Sequence, residues 1–546
     1  MAEASRRRVA PWVLAAGLAT LAALLWLACS TLGGMAWRDA LFPTVLVPSA
    51  LLVGLRRRAL AAHPGAAVLA VVLPVGLLLC AYMPAIVSVS WDGYVHYRAA
   101  NRIAQGRVTV SSLADDVLYD MDGIYDVGLY PLGTSDDDWH PNWESILSEE
   151  GMDHANERFE ELDEVVSTRK TNVTPWEPTT LGRLPNALGL AVGDLLGAPV
   201  LARLFLGRVC NLLVYAAVMA LAASWLRRGG WVVFAVAVTP TLVFMACNYS
   251  YDPFAISLVT LAASRFVGEL QRPNERLTAG RAAWILVPFL VGTVTKAVFV
   301  ASALMLLFMP RTKFSDDRGH RAWVCACCAA AAAVLATFAV PFLLAGGSVG
   351  ADTRGGAADI DSRRQLAFLL THPVTYLATL VGSFLRAFNP VAVFQQLPVN
   401  LCYLPMPEGW PLMAAGWFCL ALSAALLDRG PVDDRWRGPA VGWGTFAGIA
   451  LSLVLMATAL YLGYTDVGAP LVGGIQVRYL LFEISPFLLV CLNLGTGPRR
   501  RLEGRLEAAG GAGPARRAMG ALPQAALWAG FCLLWAVTAF GFLVRF

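Results

Sequence analysis

The sequence predicts an all-α polytopic membrane protein, and three observations carry that reading. Hydrophobic residues make up 57% of the chain and charged residues only 15%, against about 45–50% and about 25% in soluble domains. Mean hydropathy is +0.59. The apolar residues also fall in blocks long enough to cross a hydrocarbon core, which takes about 20 residues as a helix. The net charge of +4 gives no sign of nucleic acid as a partner. The basic residues lie in short clusters between apolar blocks, as they do in cytoplasmic loops.

The apolar blocks run in order. Blocks 11–29, 39–55 and 66–87 come first. After a long polar stretch follow 203–226, 231–247, 253–267, 282–294, 297–310 and 322–345, then 412–427, 439–463, 476–495 and 522–544. Arg6, Arg7 and Arg8 put the N-terminus in the cytoplasm. Arg56–Arg58, Arg227, Arg228, Arg272, Arg276, Arg281, Arg311 and Lys313 keep the same count. Block 11–29 has no small-residue cleavage site and a second span close behind it, so it reads as an anchor and not as a signal peptide. Residues 366–386 are long enough to span, but one more crossing would strand Arg499, Arg500, Arg501, Arg516 and Arg517 outside. They are expected to form an external interfacial or re-entrant helix interrupted near His372-Pro373, or half of an unrecognised pair. The expectation is therefore about 13 spans, with the C-terminus outside.

Three regions follow from this count: a two-span extension (1–60), a main membrane domain (61–495), and a basic cytoplasmic loop with the last span (496–546). The main domain carries two external loops, 88–202 and 346–411. The larger holds a dense run of acids, including Asp136, Asp137 and Asp138, and enough Trp, Tyr and Pro to favour an ordered loop. Its segment 154–166 has the pattern of a short amphipathic helix. Most of the cysteines lie in apolar blocks, where a free thiol behaves as a small hydrophobe. Asn172 and Asn248 each match a glycosylation sequon, a pattern common by chance. No phosphate-binding or dinucleotide-binding glycine loop occurs, so nothing points to direct use of ATP or NAD.

Ionisable residues in or beside the spans are more informative, because a charge at the bilayer centre costs at least about 2.5–3.5 kcal/mol. Asp194, Arg203, Arg208, Asp252, Lys296, Arg478 and Glu483 form this set. On the count above, Arg208, Asp252, Lys296 and Arg478 crowd toward the same outer leaflet as Asp92 and His96. Snorkelling accounts for many such residues one at a time. A cationic cluster at that depth also suits a lipid-linked phosphate. In "SWDGYVHYRAANRIAQG" (90–106), Asp92 stands where it would cap a helix over 93–105. His96 lies one turn along the same face, and Arg98 and Arg102 lie one turn apart on another. A carboxylate beside phosphate-holding cations is also what general-base attack on a lipid-phosphate sugar needs. Both readings of Asp92 stay open at this point.

These residues resemble a known family. "WDGYVHYRAANRIAQG" is similar to the P-D-E-x-x-H-x-x-R-A-x-x-I-x-x-G signature of a bacterial family of membrane proteins of unknown function, grouped with the GT-C glycosyltransferases. The resemblance continues through "RLPNALG" (183–189), "GRVCNLL" (207–213), "TPTLVFMACNYSYDPF" (239–254), "TKAVFV" (295–300) and "IQVRYLLFEISPFLL" (475–489). It implies a GT-C-like helical bundle whose large first external loop carries interfacial helices. It implies an inverting sugar transfer from a polyprenyl-phosphate donor to a cell-envelope glycan or glycolipid, on the external face of a bacterial cell membrane. Asp92 would be the base and His96 its helper. Arg478, Lys296 and Arg208 would hold the donor phosphate, supported by Asp252, Arg98, Arg102, Gln476 and Tyr479. Related enzymes bind Mg²⁺ or Mn²⁺ through loop acids, which makes Asp136 and Asp138 the metal candidates here; a solvated acidic face is the favoured reading of that run. Gly93 departs from the family's second acid. A flippase for lipid-linked saccharides and a non-catalytic envelope-assembly protein are the alternatives.

The topology is testable. Cysteines introduced near 140 and near 360 should both be labelled by an impermeant maleimide added to intact cells. Labelling of either only after permeabilisation would overturn the count.

Overall fold

The structure, a computed structural model, describes residues 11–83, 89–104, 178–344, 359–428, 439–493 and 514–543. Those residues form helices, with no strand among them. Hydrocarbon offers backbone N–H and C=O groups no water, so each segment must satisfy them internally or against its neighbours. In chain order the α-helices are α1 (Pro11–Leu27), α2 (Trp37–Ala62), α3 (Pro64–Tyr82), α4 (Gly93–Ala104), α5 (Leu184–Leu195), α6 (Val200–Trp225), α7 (Gly230–Ala237), α8 (Pro240–Ala246) and α9 (Asp252–Leu270). They continue as α10 (Ala279–Val294), α11 (Asp317–Leu344), α12 (Ser362–Thr371), α13 (Pro373–Ala387), α14 (Pro390–Gln396), α15 (Trp410–Leu427), α16 (Pro439–Gly463), α17 (Leu481–Pro486) and α18 (Pro514–Thr538). Helices α3, α6 and α9 pack in sequence, and α7 and α8 fill the centre, where every residue of both is buried.

The sequence predicts about 13 spans. The described residues contain nine helices long and apolar enough to cross, or ten if one bent pair counts as a span. The remaining blocks are broken or short, each for a physical reason. Block 231–247 divides into α7 and α8 at Pro240, which starts a new helix because it has no N–H to give the old one. Block 476–495 begins as a 3₁₀ turn (Val477–Leu480), continues as α17 with Pro486 inside it, and ends as a π-helix (Phe487–Asn493). The bent pair is α12 and α13, which meet at 108°. Their junction is His372-Pro373, where the interruption is expected, and the bend is incompatible with one straight span.

Blocks 282–294 and 297–310 become a hairpin of unlike arms, the 16-residue α10 and a 12-residue 3₁₀ helix, Ala297–Phe308. At rises of about 1.5 and about 2.0 Å per residue, both arms reach roughly 24 Å. Burial along the second arm repeats every three residues, as 3₁₀ geometry requires. Phe299, Val300, Ser302, Ala303, Met305 and Leu306 are buried, while Val298, Ala301, Leu304 and Leu307 are less covered. So long a 3₁₀ run is uncommon. It lies along α16, whose Gly444 and Gly448 let the two backbones approach. A Cβ at Gly448 would stand 2.7 Å from the Ala301 carbonyl oxygen.

The chain also breaks between α8 and α9, over residues 247–251, and this break positions the candidate site. Its carbonyls are buried and would be orphaned without outside donors. Asn186 of α5 and Asn211 of α6 supply them: both amides donate to the Asn248 carbonyl, at 3.2 and 3.0 Å, and Asn211 also reaches the Ser250 carbonyl at 3.2 Å. Helix α9 then runs from Asp252 to a second charged cluster about 26 Å away along its axis. There Glu269 takes both Arg281 and Lys313, at 2.7 and 2.9 Å. Arg265 and Arg272 lie over the Trp225 ring at 3.7 and 4.7 Å. The two polar clusters thus sit at opposite ends of one buried helix.

Asn186→Leu and Asn211→Leu should each lower the unfolding midpoint in detergent, by about 0.5–1.5 kcal/mol for a lost hydrogen bond. The double variant should lose more than the sum, because only then does the Asn248 carbonyl lose both donors. Strict additivity would mean that the amides do not share that acceptor.

Candidate functional site

Asp92 sits in a turn over Ser90–Gly93, closed by the Gly93 N–H donating to the Ser90 carbonyl at 2.9 Å. Its φ is +56°, a left-handed conformation that Asp and Asn tolerate better than most residues. The His96 N–H donates to the Asp92 carbonyl at 3.0 Å, so Asp92 occupies the position of a helix cap. The extended backbone usual at that position is replaced by the left-handed one. The carboxylate faces Arg478, with Oδ2 3.6 Å from Nη2. The Ser90 hydroxyl donates to the Tyr249 carbonyl at 2.9 Å and fastens this turn to the 247–251 break.

On the far side of Arg478, the break delivers a second acid. Asp252 opens α9 and pairs with Lys296 at 2.8 Å, with both side chains mostly buried. Lys296 stands at the turn of the hairpin, and its ammonium lies 5.2, 4.9 and 5.0 Å from the ring centroids of Tyr251, Tyr479 and Phe482. Arg478 lies over Trp91 at 4.4 Å and over Tyr479 at 5.7 Å, and both Asp92 and Asp252 act on its charge. Asp92 and Asp252 both act on Arg478, and Asp252 pairs with Lys296, so opposite charges alternate through the cluster. This arrangement lets four ionised groups stay in a partly dry place.

A cavity of about 290 Å³ opens against Arg478, lined also by Trp91, Gln395, Gln396, Asn400, Cys402 and Gln476. A second, of about 560 Å³, adjoins it through Gln396 and Val477 and runs beside Ser383, Arg386 and Asn389. Two polar atoms at the first cavity are buried with no hydrogen-bond partner among the described residues, Arg478 Nε and Gln476 Oε1. Over this wall, burial and the nearby Asp92 carboxylate push the Tyr403 phenol upward. Burial pushes the Cys402 thiol up to about 12, so it is not a thiolate at neutral pH.

The residues singled out from sequence are thus only partly brought together. Asp92, Asp252, Lys296, Arg478 and Tyr479 form one cluster, and Gln476 joins it at the cavity. His96 is oriented from another side: its Nδ1 accepts from Arg183 Nε at 3.3 Å, and its ring meets Tyr251 edge-on at 4.5 Å. Arg208 is fully buried, 3.5 Å from the Met83 carbonyl and 5.5 Å over the Phe205 ring. Its described contacts thus lie at the end of α3, not with Arg478 or Lys296. Arg102 is buried on α4, and Arg98 lies on the same helix. Asp136, Asp138 and segment 154–166 lie outside the described residues. Asn248, one of the two sequons, is buried with its amide donating to the Phe244 carbonyl at 2.9 Å. Sequence reading missed Arg183, Trp91, Tyr251, Tyr403 and the amides of 395–400. Trp91, Arg183 and Tyr251 stand inside motifs already singled out; the others carry no local signal.

Residues 152–489 match the model of a family described as "predicted membrane protein (DUF2142)". That stretch takes in the motifs at 183–189, 207–213, 239–254, 295–300 and 475–489, while the signature around Asp92 and His96 precedes it. No curated protein and no solved structure matches the chain.

Lys296→Met should destabilise the protein by about 3–5 kcal/mol, because it strands the Asp252 carboxylate. Adding Asp252→Asn should recover most of that loss. Lack of recovery in the double variant would show that Lys296 serves stability through its ring contacts instead of its partner.

Proposed function

The chain belongs to DUF2142, a family of predicted membrane proteins, and from the geometry of its site we propose that it is a membrane glycosyltransferase of the GT-C type. The observation that carries this reading is the pairing of Asp92 with Arg478, 3.6 Å apart beside a cavity that Arg478 lines, with its Nε unpartnered among the described residues. A carboxylate and a guanidinium side by side supply both halves of an inverting sugar transfer. Asp92 takes the proton of an acceptor hydroxyl, and that oxygen forms a bond to the sugar's anomeric carbon. The bond from that carbon to the phosphate oxygen breaks, and polyprenyl phosphate leaves as an anion steadied by Arg478. Lys296 lies behind Arg478 and keeps Asp252 from competing with the donor phosphate.

The arginine-rich end of α9 belongs in the cytoplasm by the positive-inside rule, which puts Asp92 and the cavity on the external face of a bacterial cell membrane. The acceptor is then a cell-envelope glycan or glycolipid. One observation favours a lipid-linked saccharide flippase as the second reading. The 247–251 break and the 477–493 segment are discontinuous helices flanking charged groups, as transporters have. Purified protein with polyprenyl-phosphate sugars separates the two: product means transfer, and leaflet exchange without product means flipping.

Asp92→Asn is the discriminating variant, since Asn tolerates the left-handed backbone and caps helices nearly as well. It should bind donor like the parent and transfer sugar about 10²–10⁴ times more slowly. Retention of most activity would remove Asp92 as base. In a donor-binding assay, Arg478→Ala should lose more affinity than Arg478→Lys, which keeps the charge without the planar fork. Parent-like binding by both would move the phosphate site elsewhere.

A further inference from the structure

The cavity beside Arg478 has a lining that phosphate chemistry leaves unexplained. Gln395, Gln396, Asn400 and Gln476 stand around it with Trp91, and among the described residues no Asp, Glu, Lys or His lines it. Gln476 Oε1 is buried and finds no donor among the described residues. An acceptor stripped of water with no protein partner calls for a donor from a ligand. Asn400 spends its Oδ1 on the Cys402 N–H at 2.9 Å, so its NH₂ remains to meet one.

We infer that this cavity receives one uncharged sugar ring, the group that the lipid-phosphate donor carries. The inference rests on the sugar-transfer reading of the Asp92–Arg478 site. Side-chain amides both donate and accept, as sugar hydroxyls do, so a ring of them matches a polyol better than it matches an ion. The Trp91 side chain adds apolar surface for the C–H faces of a ring. Size limits the ligand: about 290 Å³ is at the floor of the roughly 300–1,000 Å³ range of small-molecule sites, which suits a monosaccharide and not a chain. Charge limits it too. With Arg478 occupied by the donor phosphate, the described lining offers no second cation for the carboxylate of a uronic acid and no acid for the ammonium of an amino sugar.

The test is saturation-transfer NMR on the full chain in detergent. The probes are methyl glucoside, mannoside, galactoside and arabinoside, with methyl glucuronide and methyl glucosaminide as charged counterparts, all with inorganic phosphate present to occupy Arg478. At least one neutral glycoside should receive saturation, and the charged pair should not. Gln476→Leu removes no internal hydrogen bond and should weaken that binding roughly tenfold, the loss of one hydrogen bond to the ligand. Gln395→Ala, on the partly exposed helix α14, should weaken it as well without altering the unfolding midpoint. Absence of neutral binding, equal binding of the charged pair, or indifference to both substitutions would overturn the inference. Glycoside binding with no transfer from any lipid-phosphate donor would sink the transfer reading alone. Efficient transfer from a uronic-acid donor would sink this inference and leave the transfer reading standing.

Discussion

The structure hangs on a break in the backbone at 247–251 and on the side chains that make it tolerable. In a medium without water, a chain can leave the helix only where something else bonds its carbonyls. Asn186 and Asn211 do so from two neighbouring helices, meeting at the Asn248 carbonyl. The Tyr249 hydroxyl donates in turn to the Leu204 carbonyl at 2.9 Å. Gly207 leaves the space for that ring, since a Cβ there would overlap the Tyr249 hydroxyl. The break is thereby held to α6 as firmly as a helix would be. It turns Tyr251 toward His96, aims Asp252 at Lys296, and ties the Ser90–Gly93 turn in place.

Electrostatics builds on that scaffold. A single buried charge in this setting would be costly, and a string of alternating charges is much less so, because each group is the counter-ion of the next. Aromatic rings complete the enclosure of Lys296 and Arg478 through their negative faces. Within the cluster, Arg478 also borders the cavity, where its Nε and Gln476 Oε1 have no partner among the described residues. The opposite end of α9 is built differently. Its arginines are shared among Glu269, Glu275 and the Trp225 ring, which makes it an interfacial anchor.

What the sequence determined by itself was the environment and the places where the chain could not be ordinary. Apolar blocks marked most of the crossing helices, because length and hydropathy are all that a regular span requires. His372-Pro373 marked the bend, because Pro cannot continue a helix. Asp252, Lys296 and Arg478 stood out because charges are dear in lipid. Tertiary structure decided which of them meet. Asp92 and Arg478 lie hundreds of residues apart, and nothing local tells that they face each other while Arg208 turns to the end of α3. Nor does hydropathy distinguish a continuous helix from one that passes through 3₁₀ and π geometry, as 477–493 does, since all three are equally apolar in composition and differ in which carbonyl each N–H reaches. Where the chain leaves α geometry elsewhere, the neighbours permit it, glycines at 444 and 448 beside the 297–308 arm and asparagines at 186 and 211 at the 247–251 break, and that can be read only once they are packed together.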